Sequence, residues 1–90
     1  MNKYISAFDA ICDSPQQAAN LRLRAELMRH ISETVGKRNW TEKQAAEYCG
    51  ITQTDMADLL NGKIDAFPLD ILVDIHTQLG EEITLQFQPA

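Results

Sequence analysis

Residues 41–63, TEKQAAEYCGITQTDMADLLNGK, constrain the fold more than any other part of this chain. Two short amphipathic segments meet at Gly50-Ile51, and a threonine opens each. Thr41 stands three residues before Gln44. At that spacing a hydroxyl and an amide side chain satisfy each other's backbone donors at a helix start. Thr52 caps the second segment, with Asp55 three residues on, where a carboxylate meets the positive end of the helix. Ala45, Ala46 and Cys49 form the inward face of the first predicted helix; Met56, Leu59 and Leu60 form that of the second. Ala46 is small where the second helix must cross closely, and Gly50 allows the positive φ of a sharp turn. Asn61-Gly62 is a strong stop signal.

The flanking sequence completes the architecture. Tyr4, Ile5, Phe8, Ile11 and Cys12 follow helical spacing and predict a short amphipathic helix over 3–12, ended by Asp13-Ser14-Pro15. Ser14 then serves as N-cap, Pro15 as first helical residue and Gln17 as partner in a capping box. The helix that follows runs to about residue 38, with Leu21, Ala25, Met28, Ile31 and Val35 as its buried stripe and Gly36 weakening its last turn. Residues 63–67 read as a linker. Pro68 opens a last helix over 68–79, with Leu69, Leu72, Val73, Ile75 and Leu79 apolar and Gly80 as terminator. In the final segment Ile83, Leu85 and Phe87 alternate with Thr84, Gln86 and Gln88, which predicts a half-buried strand over 82–88. No second strand candidate exists in the chain. A lone strand leaves its backbone groups unpaired, so the expectation is a homodimer joined through this strand across a two-fold axis. The expected fold is all-α, one domain of five helices (1–38 N-terminal helices, 41–61 the central pair, 68–79 the last helix) with a short C-terminal strand.

Size and composition exclude several classes. Ninety residues, 44% apolar and 23% charged, suit one globular domain. No apolar run is long enough to span a bilayer, and no signal peptide is read at the N-terminus. Cys12 and Cys49 are too few and too far apart for a disulfide framework or a zinc site, so reduced thiols in the cytoplasm are expected. His30 and His76 have no partner at a spacing that marks metal binding or catalysis. No nucleophile, base and orienting group come together, and no glycine-rich phosphate loop is present. The expectation is a non-enzyme without cofactor or metal.

The arrangement over 41–63 is that of a helix-turn-helix, which acts by presenting its second helix to DNA. The segment resembles the Xre/Cro-type helix-turn-helix of phage repressors. With SPQQAANLRLRAELMRHI upstream and KIDAFPLDILVDIHTQLG downstream, the longer pattern is similar to HigA-like antitoxins and related Xre-family regulators, over roughly residues 6 to 85. The resemblance implies a dimer on palindromic operator DNA and, for an antitoxin, a partner ribonuclease toxin. Carried over by position, Gln53, Thr54, Asp58 and Asp55 are the base readers. Asn61 and Lys63 match phosphate-contacting positions, and Thr41 and Glu42 match the helix start that lies against the backbone. Glu42 stands where a glutamine is usual, and Asp55 where related antitoxins often carry a basic residue.

Read as residues, the same positions have other roles. Asp55 and Glu42 suit the first turn of a helix as carboxylates favoured by its dipole. Gln53 is placed to bond adenine in bidentate fashion, or is simply solvated. Lys43, Lys37 and Arg38 lie near the start of the motif's first helix, where a phosphate role competes with that of a solvated face. The chain is acidic, with net charge −5. Residues 41–90 hold two basic and nine acidic side chains, net −7, a poor balance against a polyanion. Two functions therefore stand open: a sequence-specific DNA-binding repressor, or an interaction module of the same shape that binds a toxin or another regulator.

Overall fold

The computed structural model describes residues 14–89. The helix expected over 3–12, with Cys12, lies outside the described residues. Helix α1 spans Pro15–Lys37. Ser14 is extended at φ −149°, and its hydroxyl accepts the Gln17 N–H at 3.2 Å, with Pro15 in the first turn, where a missing N–H costs nothing. The far end is closed by Asn39 at φ 55°, the one non-glycine described residue in the left-handed region. Trp40 N–H then returns to the Val35 carbonyl at 3.2 Å. Asparagine tolerates this conformation better than other side chains, so it ends α1 without a glycine.

Helices α2 (Glu42–Cys49) and α3 (Gln53–Leu60) follow, joined by Gly50 at φ 74°, ψ 28°. The N–H groups of Gly50 and Ile51 both turn back to the Ala46 carbonyl, the latter at 3.1 Å. A short 3-10 turn, Ile64–Ala66, occupies the expected linker, and helix α4 spans Leu69–Gln78. The Arg24 guanidinium on α1 donates to the carbonyls of Ile64 at 3.2 Å and Phe67 at 3.3 Å. This long-range bracket ties the 3-10 turn to α1 and accompanies the burial of Phe67.

The core joins all four helices. Ile31 of α1, Met56 and Leu59 of α3, and Leu72 and Ile75 of α4 are its most completely buried large side chains. Ala45, Ala46 and Cys49 are the buried face of α2. Burial pushes the Cys49 thiol above its ordinary range, so it behaves as a small apolar core residue.

The five-helix architecture with a terminal strand is corrected. Four α-helices and no strand are present among the described residues, and 81–89 have no regular secondary structure. The alternation of Ile83, Leu85 and Phe87 describes a two-faced pattern, but a strand exists only where a neighbour completes its hydrogen-bond ladder. The described residues supply none. Only Ile83 packs on the core, while Phe87 is 90% exposed.

Gly36 and Gly50 separate the two uses of glycine. Gly36 lies inside α1, and a Cβ there would meet nothing within 4 Å; Gly50 has equal space but φ 74°. Gly36→Ala is expected to stabilise the fold by about 0.5–1 kcal/mol. Gly50→Ala is expected to destabilise it by about 1 kcal/mol or more. Urea denaturation midpoints at unchanged m-value would measure both, and equal shifts would refute the contrast.

Candidate nucleic-acid interface

The outward surface of α3 is built by its cap. The Thr52 hydroxyl accepts the Asp55 N–H at 3.0 Å, fixing where the helix begins. Gln53, Thr54 and Asp55 are then exposed on the first turn, while Met56 and Leu59 sink into the core. The helix is thus anchored from below and offers its N-terminal turn to solvent. A glutamine amide there can donate and accept at once, and a threonine adds a hydroxyl and a methyl group.

The other sequence-predicted residues fall into two groups. Asn61 ends α3 in an exposed position, and Gly62 follows at φ 76°. That turn returns Lys63 N–H to the Asp58 carbonyl at 3.0 Å and places Lys63 Nζ 3.4 Å from Asp58 Oδ1. The Asp58 side chain is 29% exposed, so its carboxylate is partly withdrawn beside the ammonium. Asp58 and Lys63, read separately as base and phosphate contacts, form one ion pair.

At the start of α2 the full capping box is present. Thr41 N–H donates to Gln44 Oε1 at 2.9 Å, and Gln44 N–H donates to Thr41 Oγ1 at 3.1 Å. The Thr41 oxygen is committed to the cap, while its hydroxyl proton remains a donor. Glu42 and Lys43 are exposed next to it. Glu42 occupies the first turn, as Asp55 does in α3.

Several arginines are drawn into the protein's own structure. Besides the Arg24 bracket, Arg38 lies 4.9 Å from the Trp40 ring centroid and 5.7 Å from that of Tyr48. Its guanidinium also donates to the Leu79 carbonyl at 3.1 Å, linking the end of α1 to the end of α4. Trp40 and Tyr48 pack at 4.7 Å, which joins the turn after α1 to α2. On the surface of α1, Arg29 contacts Glu26 and Glu33, each at 2.8 Å. The hydrogen bond and charge of Arg29 hold the Glu26 carboxyl below its ordinary range.

The histidines are brought together only by the fold. His30 and His76 are far apart in the chain, yet their rings stack at 5.3 Å, and Nδ1 of each approaches Oε1 of Glu81, at 3.4 Å and 3.2 Å. Nothing in their spacing signals this, because α1 and α4 meet only through tertiary packing.

A family model described as a helix-turn-helix domain matches residues 10–88. The chain belongs to this helix-turn-helix family. The match covers nearly the whole domain, including α1 and α4 as well as the α2–α3 pair. No curated protein matches the chain significantly. Family membership points to a DNA-binding regulator, the general class implied by the resemblance. No helix among the described residues is long and apolar enough to cross a membrane.

The ion pair on α3 generates a test. Asp58→Asn removes a negative charge beside Lys63, so binding to random duplex DNA should tighten while the Lys63 share of the log–log salt slope is kept. Lys63→Ala should make the slope shallower by about one. Fluorescence anisotropy across a salt series measures both, and unchanged affinity in Asp58→Asn with an unchanged slope in Lys63→Ala would remove this pair from the interface.

Proposed function

We propose that this helix-turn-helix protein is a sequence-specific transcriptional repressor that reads its operator through the N-terminal turn of α3. The observation that carries the proposal is the exposure of Gln53 and Thr54 on a helix whose Met56 and Leu59 are anchored in the core. In this family of shapes the N-terminal residues of the second helix meet base edges in the major groove. Gln53 bonds adenine, and Thr54 contacts a neighbouring base or thymine methyl. Asn61, Lys63, Thr41 and Lys43 bind phosphate and fix the docking angle. Asp58 holds Lys63 in place and accepts only from a donor such as cytosine N4.

Two copies on a palindrome would set half-sites about one helical turn, roughly 34–36 Å, apart. Resemblance of the flanking segments 14–31 and 63–80 to HigA-like regulators supports an Xre-type protein acting in the cytoplasm as the antitoxin of a ribonuclease toxin. That role expects a short, basic, ribonuclease-like reading frame beside the gene.

A second reading is favoured by charge. Residues 41–90 carry net −7, and Arg24, Arg29 and Arg38 are engaged within the protein. An interaction module that has kept the helix-turn-helix shape, with a toxin or regulator on its acidic face, would have this balance.

A mobility shift against the gene's own upstream DNA, repeated over a salt series, separates the two. Tight binding with a steep salt slope is the expected outcome. Gln53→Ala should then lose about 1–3 kcal/mol of preference for operator over random duplex. Absence of any shift on upstream DNA would reject the repressor in favour of the interaction module. An unchanged preference in the variant would reject Gln53 as a reader.

A further inference from the structure

The C-terminal cap of α4 builds a cluster that DNA recognition does not use. Gly80, at φ 76°, lets its own N–H return to the Thr77 carbonyl at 3.0 Å and the Glu81 N–H to the His76 carbonyl at 3.1 Å. This closure swings Glu81 back over His76. From the other side α1 brings His30. The His30 and His76 nitrogens and the Glu81 oxygen all lie within 4.8 Å of one another.

Hydrogen bonding fixes what these atoms can do. His76 is buried, and its Nε2 lies 3.2 Å from the Leu27 carbonyl oxygen. A carbonyl only accepts, so Nε2 carries its proton there. In a neutral ring Nδ1 then presents a lone pair, and it faces Glu81 Oε1 at 3.2 Å, which is also a lone-pair atom. His30 Nδ1 approaches the same oxygen at 3.4 Å. Two imidazole nitrogens and one carboxylate oxygen converging on one point make a ligand set that a shared cation would satisfy. A backbone carbonyl that fixes the tautomer of a buried histidine is the usual support behind a metal-binding imidazole.

We infer that His30, His76 and Glu81 form a binding site for a divalent transition-metal ion, with Zn2+ as the ion of best fit. Two imidazoles and one carboxylate suit this borderline cation. Tetrahedral zinc, with bonds of about 2.0–2.1 Å, needs ligand atoms roughly 3.4 Å apart. Both histidine–glutamate distances match that edge. The His30 side chain is about half exposed (49%), which leaves space for the small shift that completes the third edge. The cavity around the cluster, about 500 Å3 and lined also by Glu26, Glu82 and Thr84, leaves room for water as fourth ligand. The ion also sits at the C-terminus of α4, the negative end of that helix. Its consequence is structural: Glu81 begins the segment after α4, so the metal fastens that segment to both α1 and α4.

The test uses the full chain, treated with chelator, dialysed and titrated with Co2+ and then Zn2+. Visible Co2+ absorption bands saturating at one ion per chain are expected, displaced by Zn2+, together with a rise in Tm on adding Zn2+. His30→Ala and Glu81→Gln leave the core side chains in place and should each weaken Zn2+ binding by at least about ten-fold. Three results would overturn the site: no Co2+ bands and no Zn2+ effect on Tm in the unaltered chain, equal Zn2+ affinity in both variants, or a cobalt–thiolate charge-transfer band marking a cysteine ligand.

Discussion

The close crossing of α2 and α3 over the Gly50 turn is the constraint on which the rest of the structure depends. Ala45 and Ala46 carry only methyl groups, too small to hold the helices apart, and both are buried. The Ala46 carbonyl receives the turn's two N–H groups, so the residue that permits the approach also anchors the reversal. With α3 set at that angle, Met56 and Leu59 reach Ile31, Leu72 and Ile75 in one cluster. Two-turn helices are marginal alone in water, and here tertiary burial makes them persist. The same burial leaves α3 only its first turn and one edge to offer a ligand.

Electrostatics pull against the shape. A surface that docks on phosphate gains from exposed cations, yet Arg24 brackets the 3-10 turn, Arg38 stacks on Trp40 and Tyr48, and Arg29 is flanked by two glutamates. Lys63 is shared with Asp58. First-turn carboxylates Glu42 and Asp55 favour their own helices through the dipole and oppose an incoming phosphate. Helix stability and DNA attraction thus make opposite demands on the same positions. Any affinity for operator would have to come from a narrow set of neutral readers and a few lysines, with specificity carried more by hydrogen bonding than by charge.

Much of the fold was legible because its signals are local. Ser14, Thr41 and Thr52 act as caps through bonds to backbone N–H groups three residues on, and spacing alone reveals that. The glycine turns at 50, 62 and 80 follow from the same short-range geometry. The strand over 82–88 misled because alternation describes two faces of a segment and says nothing of whether a ladder partner exists. Phe67 and its bracket from Arg24 were passed over within a five-residue linker, since the contact spans 43 residues. Of the candidate interface, the exposure of Gln53, Thr54 and Asn61 followed from helical phase. The Asp58–Lys63 pair did not, because it needs the left-handed step at Gly62 to fold Lys63 back.

The sequence by itself determined where the helices of residues 14–80 start and stop and which face of each is apolar. It also determined the turn at Gly50. These are consequences of hydrogen bonds and steric limits within a few residues. Only the tertiary structure decided which charges neutralise one another and which carbonyls the arginines seek. It alone set His30, His76 and Glu81 around one point. Those outcomes depend on how α1, α3 and α4 pack, and packing is fixed by the shape of the whole core.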